Sequence, residues 1–154
     1  MKNFLFLLFV SVLIACNGEA DNTAAAEAQM AAQKELSDAA MAVHDEVMPM
    51  MGEINRLKRQ IEGLVESEAE TLPEATQEQA LSVAEDLKDA NEAMMTWMSN
   101  IPMPDKLRNA GQTHEQIMTA LSDSNTAATA MNEQIKRALE NGRATLASLQ
   151  RQVE

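Results

Sequence analysis

From His114 to Leu149 one stripe of residues returns at alternating steps of four and three: His114, Met118, Leu121, Asn125, Ala128, Asn132, Ile135, Leu139, Gly142, Leu146 and Leu149. A mean step of about 3.5 keeps these residues on one face of an α-helix, whereas a strand returns to the same face every second residue. The rhythm occurs twice more. Ala40, His44, Val47, Met51, Ile54, Lys58, Ile61 and Val65 form one earlier seam, and Ala80, Ala84, Leu87, Asn91, Met94, Met98 and Ile101 form another. Three amphipathic helices joined by short links predict an all-α fold, an antiparallel three-helix bundle with coiled-coil-like packing. The aromatic content agrees. Tyr is absent, Phe4, Phe6 and Phe9 lie at the extreme N-terminus, and Trp97 is the one remaining aromatic. Ala and Met fill the apolar quota instead, which suits close helix packing and argues against a β domain.

Punctuation between the stripes sets the element boundaries. Pro49 lacks a backbone N–H, so the long first helix should kink there. Lys58 interrupts the first seam but can lay its stem along it and keep its ammonium in water. Thr71 with Glu74 reads as a capping box with Pro73 in the first turn, starting a second helix over about 72–100. The run IPMPD ends that helix, and residues 105–111 suggest a short turn closed by Gly111. Thr113 with Gln116 reads as another capping box, for a third helix reaching about Gln152. Asn141-Gly142 would ordinarily mark a turn, but the stripe runs through it, so Gly142 is expected to be a point of close packing. Asn91, Asn125 and Asn132 fall inside the seams and are expected to hydrogen-bond one another and fix the register.

The N-terminus carries a different signal. Lys2 is followed by the apolar run Phe4 to Ile14, too short to span a bilayer stably. LIAC, Leu13 to Cys16, resembles the lipobox of bacterial lipoproteins, in which the signal is cut before an obligatory Cys that then carries the lipid. The resemblance implies a signal peptide over residues 1–15, lipidation (palmitate among the acyl chains) at Cys16, a flexible tether over 16–25, and a bundle domain over 26–154. Cys16 is the sole Cys, so its lipidation leaves no thiol for a disulfide. Asn17, where an enterobacterial inner-membrane lipoprotein would carry Asp, favours the outer membrane. Loss of residues 1–15 removes only Lys2 among the charges, leaving 11 Lys and Arg against 24 Asp and Glu, a net charge of −13. Such a surface repels nucleic acid and anionic headgroups, and anchorage is expected through acyl chains without a transmembrane helix. The C-terminus, Arg151-Gln152-Val153-Glu154, lacks the terminal Lys of peptidoglycan-linked lipoproteins of the Braun type.

The segment MAVHDEVMPMM, Met41 to Met51, holds four Met and one His in eleven residues. Met41, His44, Met48 and Met51 repeat at steps of three, four and three, on one helix face. A hairpin centred near residue 70 sets His44 level with Met94, Trp97 and Met98, and one centred near 107 brings Met118 to the same layer. Neutral thioethers with an imidazole suit Cu(I) and discriminate against hard cations. Candidate ligands are therefore His44, Met41, Met48, Met51, Met94 and Met98, with Trp97 as a cation–π cover. A Trp beside Met and His ligands resembles, in residue types alone, the periplasmic copper-resistance chaperones, which are β-barrels. His44 and a Met across the bundle could also hold a b-type haem, given a cavity. The plainer reading is that Met, an adaptable filler, replaces absent Phe and Tyr in a packed core. His114 reads as a partly exposed residue at a helix start. Asp45 and Glu46 beside His44 could orient that imidazole, although adjacent residues point to different helix faces. Met50, Met95 and Met103 read as exposed thioethers, suited to oxidant scavenging or a partner surface.

MAVHDEVMPMMGEI and ANEAMMTWMSNI together resemble a group of small helical lipoproteins of Bacteroidota, loosely labelled viral A-type inclusion protein, a label that reflects coiled-coil composition. The resemblance covers about residues 36–150. It implies that His44, Met48, Pro49, Trp97 and Met98 belong to one motif set, and it supplies no catalytic residue. The group's lysine after the Pro is Met50 here. With no Gly-rich phosphate loop, no nucleophile–base pair and no zinc spacing, the reading is a non-enzymatic, lipid-anchored scaffold or partner-binding module of the cell envelope. A Cu(I)-binding lipoprotein is the alternative.

Overall fold

A computed structural model describes residues 18–153, with side chains from residue 22. The segment expected to be a signal peptide, residues 1–15, and Cys16 lie outside the described residues. The fold is all-α. Its helices are α1 (Gly18–Val47), α2 (Met51–Ser67), α3 (Glu74–Asn100), α4 (Pro104–Asn109) and α5 (His114–Val153). The expected count of three differs because a 3₁₀ turn, Met48–Met50, divides the first long helix at Pro49, and because α4 fills the link before α5. The missing N–H of Pro49 deprives the carbonyl at position 45 of its α-helical donor, and a single 3₁₀ turn is a common local solution. α1 begins at Gly18, inside the stretch expected to be a flexible tether.

α2, α3 and α5 pack on one another in all three pairings, while α1 packs on α5 and α4 touches α1 and α5. Lys136 pairs with Glu46 and Arg143 with Glu53, so seven positions along α1/α2 match seven along α5 and the two run parallel. The chain therefore goes up, down through α3, and up again. Ile54, Leu57, Ile61 and Val65 of α2, Ala80, Ala84, Leu87, Ala90 and Met94 of α3, and Ala128, Met131, Ile135, Ala138 and Leu139 of α5 make the core. Each fully buried large side chain contributes about 1.5–3 kcal/mol by leaving water. Gly142 is the close-packing point that its stripe predicts: an added Cβ would lie 3.1 Å from Leu87 Cδ1 and 3.3 Å from Leu57 Cδ1.

The links divide between fulfilled and corrected expectations. At the start of α5, Thr113 N–H donates to Gln116 Oε1 at 2.9 Å and Gln116 N–H donates to Thr113 Oγ1 at 3.3 Å, the reciprocal pair of a capping box. α4 closes on Gly111 at φ 79°, with Gly111 N–H donating to the Arg108 carbonyl and Gln112 N–H to that of Leu107. Those two bonds are a Schellman motif. Thr71, by contrast, caps nothing. Its hydroxyl turns back to Glu68, α3 starts at Glu74 behind Pro73, and the Gln77 amide ties the turn by donating to the carbonyls of Ala69 and Leu72. The interior asparagines do not meet one another. Asn91 accepts from Asn55, Asn125 donates to the Leu36 carbonyl, and Asn132 donates to Glu46.

Candidate functional site

His44 lies in the last turn of α1, before the 3₁₀ turn. Its ring stacks on Trp97 with centroids 6.0 Å apart and 28° between planes. The hairpin argument thus placed these two residues correctly. Nδ1 lies 2.9 Å from Asp45 Oδ1, so the neighbouring carboxylate orients the imidazole although the two residues are adjacent in the helix. With Nδ1–H donated to Asp45, Nε2 carries the lone pair, the arrangement in which a carboxylate supports a histidine ligand. Nε2 is buried and has no hydrogen-bond partner.

The methionines are less gathered. Met94 is buried in the core, and Met51 is half-buried against it. Met41, Met48 and Met98 are exposed, at 38%, 46% and 40%. On α3 the buried residue after Met94 is Trp97, so the indole takes the seam position assigned to Met98. Met118 does not join the layer. A hairpin centred on 107 sets Trp97 level with residue 117, but the indole N–H donates to the Ser124 carbonyl at 3.1 Å, seven residues or about two turns farther along α5. Met131 is the buried methionine that α5 brings to this region. The displacement arises because α4 occupies the link that a tight turn would have left empty. Along the chain His44 is flanked by Met41 in α1 and Met48 in the 3₁₀ turn, about one turn to either side, both on flexible and exposed stems. Among the described residues no group of three or more His, Cys, Asp or Glu could hold a metal. The chemistry this arrangement can offer is one imidazole nitrogen with thioether sulfur, a soft donor set.

Two further features escaped the sequence reading. Gln33 is 2% exposed, bonded to His114 Nδ1 at 3.0 Å and to the Arg108 guanidinium, and it joins α1, α4 and α5. His114 is half-buried in that contact. A lone Gln in an Ala-rich stretch gives no periodic signal by which to find it. The second feature is an open groove of about 780 Å³ between α3 and α5. Trp97, Ala93, Ala127 and Met131 line it with Asp89, Glu92 and Asp123. His44 is not among its lining residues, so a haem seated there would not reach that imidazole.

Electrostatically, α1/α2 and α5 are clasped by Glu46 and Glu53. The hydrogen bond from Lys136, then its charge, holds the Glu46 carboxyl below the usual range, with Asn132 adding a smaller effect. The hydrogen bonds from Arg143, at 2.8 and 2.6 Å, do the same for Glu53 and raise the Arg143 guanidinium in turn. Among the described residues no helix is long and apolar enough to cross a membrane. No protein-family model, curated protein or solved structure matches the chain.

Proposed function

We propose that the chain is a lipid-anchored helical module of the bacterial cell envelope, held at Cys16 on the outer membrane in preference to the inner, that works by binding another envelope protein and not by catalysis. The observation that carries this reading is the lone Cys at the end of an apolar, Lys-led run, in the setting LIAC. Exposed large apolar side chains add support: Met30, Met41, Met48, Leu81, Met95, Met98 and Met103 leave apolar area for a partner to cover. Two experiments test it. Cys16→Ala should move the protein out of the membrane fraction and abolish incorporation of labelled palmitate; persistence of both would sink the anchor. Deletion of residues 26–154 behind an intact signal and Cys16 should remove partner proteins from a crosslinked membrane extract. An unchanged set of partners would sink the binding role.

One observation favours a second reading, Cu(I) binding. His44 Nε2 is buried, unpartnered, held in its lone-pair tautomer by Asp45 and covered by the Trp97 ring. Thioethers from Met41 and Met48 would complete the donor set. Titration with Cu(I) against a chromogenic chelator under reducing conditions decides it. Stoichiometric binding that disappears in a His44→Ala, Met48→Leu variant supports the site, and equal competition by both chains removes it.

A further inference from the structure

The groove between α3 and α5 continues beyond its main cavity. A depression of about 200 Å³, also between α3 and α5, shares Asp89 and Gln134 with it, and another of about 510 Å³, lined by α5 and the link before it, shares Ala120 and Asp123. Between α3 and α5 the groove follows α5 from Ala120 to Asn141. Those 21 steps correspond to about 32 Å of helix at 1.5 Å per residue. The floor is small and apolar: Ala93 on α3 and Ala120, Ala127 and Ala130 on α5, with Trp97 and Met131 as the large side chains. Alanines at these positions let a further helix approach at the short end of ordinary interaxial distances, about 8–10 Å.

The rim has one sign. Asp86, Asp89, Glu92, Glu115 and Asp123 line the three depressions, against a single cation, Arg137. Arg137 is already paired with Glu133, and nearby Lys88 with Glu85 and Glu92. Asp123 has no ion-pair partner among the described residues. At the floor beside Trp97, the Ser124 hydroxyl oxygen is buried without a hydrogen-bond partner.

We propose that this groove is the docking site for a cationic amphipathic helix of an envelope partner protein, which lies along α3 and α5 as a further helix of the bundle; this rests on the reading of the chain as a partner-binding lipoprotein. The length of the groove along two packed helices selects a helix, the alanine floor selects an apolar face of small and medium side chains, and the carboxylate rim selects Lys or Arg on its flanks. A second copy of this chain fits poorly, because a two-fold contact through this face would set one carboxylate rim against another on a chain of net charge −12.

The test places a photo-crosslinking amino acid in the full chain, expressed in its native host cells, at Ala127 or Thr96 in the groove and at Leu81 or Met48 on exposed faces outside it. The expected result is crosslinking from Ala127 and Thr96 to a segment of another protein that carries Lys or Arg beside an apolar helical face. Yield should fall about tenfold or more when Glu92→Lys and Asp123→Lys, both on exposed residues, are added. Crosslinks from the groove to a second copy of the chain, to lipid alone, or in yields indifferent to charge reversal overturn the proposal. Partner capture from Leu81 or Met48 with none from the groove also overturns it while leaving the partner-binding reading intact. Capture from no position overturns both.

Discussion

Replacing Gly142 by Ala should weaken the fold, although Ala is the better helix former. An ideal Cβ at 142 lies 3.1 and 3.3 Å from the two methyl carbons of Leu87 and 3.3 Å from one of Leu57. Carbon atoms rest at about 3.5–4.0 Å, so both leucines must retreat by a few tenths of an ångström. Leu87 is 0% and Leu57 2% exposed, so neither can swing out into solvent. Overpacking of this kind costs about 1–3 kcal/mol. The gain in helix propensity is roughly 0.8–1.0 kcal/mol, so the net loss is on the order of 1 kcal/mol.

Gly63 supplies the control, since it also lies within a helix but a Cβ there meets nothing within 4 Å. Gly63→Ala should therefore stabilise by the propensity term alone, and the difference between the two substitutions isolates the packing at 142. Urea denaturation followed by far-ultraviolet circular dichroism measures each. Leu87→Val shortens the crowding side chain and should cost less in the Gly142→Ala background than in the parent, a coupling that a double-mutant cycle reads directly. If Gly142→Ala stabilises as much as Gly63→Ala, the close approach of α5 to α2 and α3 is wrong.

Acid should loosen the clasp between α1/α2 and α5. The folded-state carboxyls of Glu46 and Glu53 titrate below their usual value, so their contribution is present above that value and is lost as pH falls through the lower one. Glu46→Gln with Glu53→Gln should thus lower the urea midpoint at about pH 7 and have no effect well below pH 4; a gap that persists in acid would refute the linkage. Trp97→Phe deletes the N–H that meets the Ser124 carbonyl and leaves a void beside His44, for an expected loss of about 1–3 kcal/mol in the same denaturation assay. Hydrogen exchange should be fastest in α1 before Ala40, where no residue joins the hydrophobic core and Gln33 and the Asn125 bond to Leu36 hold the helix, and slowest around Ile54 to Ile61. Equal protection along α1 and α2 would contradict that division.

Helices and their inward faces were legible because periodicity is local: Ile54, Ile61, Leu87, Ile135 and Leu139 follow from spacing alone. The His44–Trp97 contact was legible because the turn between α2 and α3 is short, so counting outward from it loses little register. Counting through residues 101–113 failed, because a helical turn with its own Schellman closure occupies that link and shifts α5 by about two turns. Met118 was consequently placed level with Trp97, where α5 presents Ser124. The partners of the interior asparagines were illegible for a related reason. A seam position says that a polar side chain faces other helices, but which group it meets depends on axial register to within one residue, and the Asn125 acceptor is a backbone carbonyl with no sequence signature.

Trp97 connects the two regions for which binding is proposed. One face of its ring stacks on His44, its N–H is fixed by the Ser124 carbonyl, and the same side chain lines the α3/α5 groove. A ligand at His44 and a helix in the groove would therefore press on one side chain from different directions. Coupling between them requires that Trp97 has two positions which the ligands prefer differently; shared contact alone shifts nothing. Where such a preference exists, linkage demands that Cu(I) change the affinity for the helix by the same factor as the helix changes the affinity for Cu(I). The buried Nε2 of His44, without a partner, supplies an energetic reason for the imidazole to change position when a ligand arrives. As the sole Trp of the chain, Trp97 also reports both events by its own emission, so reciprocity can be tested on the unlabelled protein.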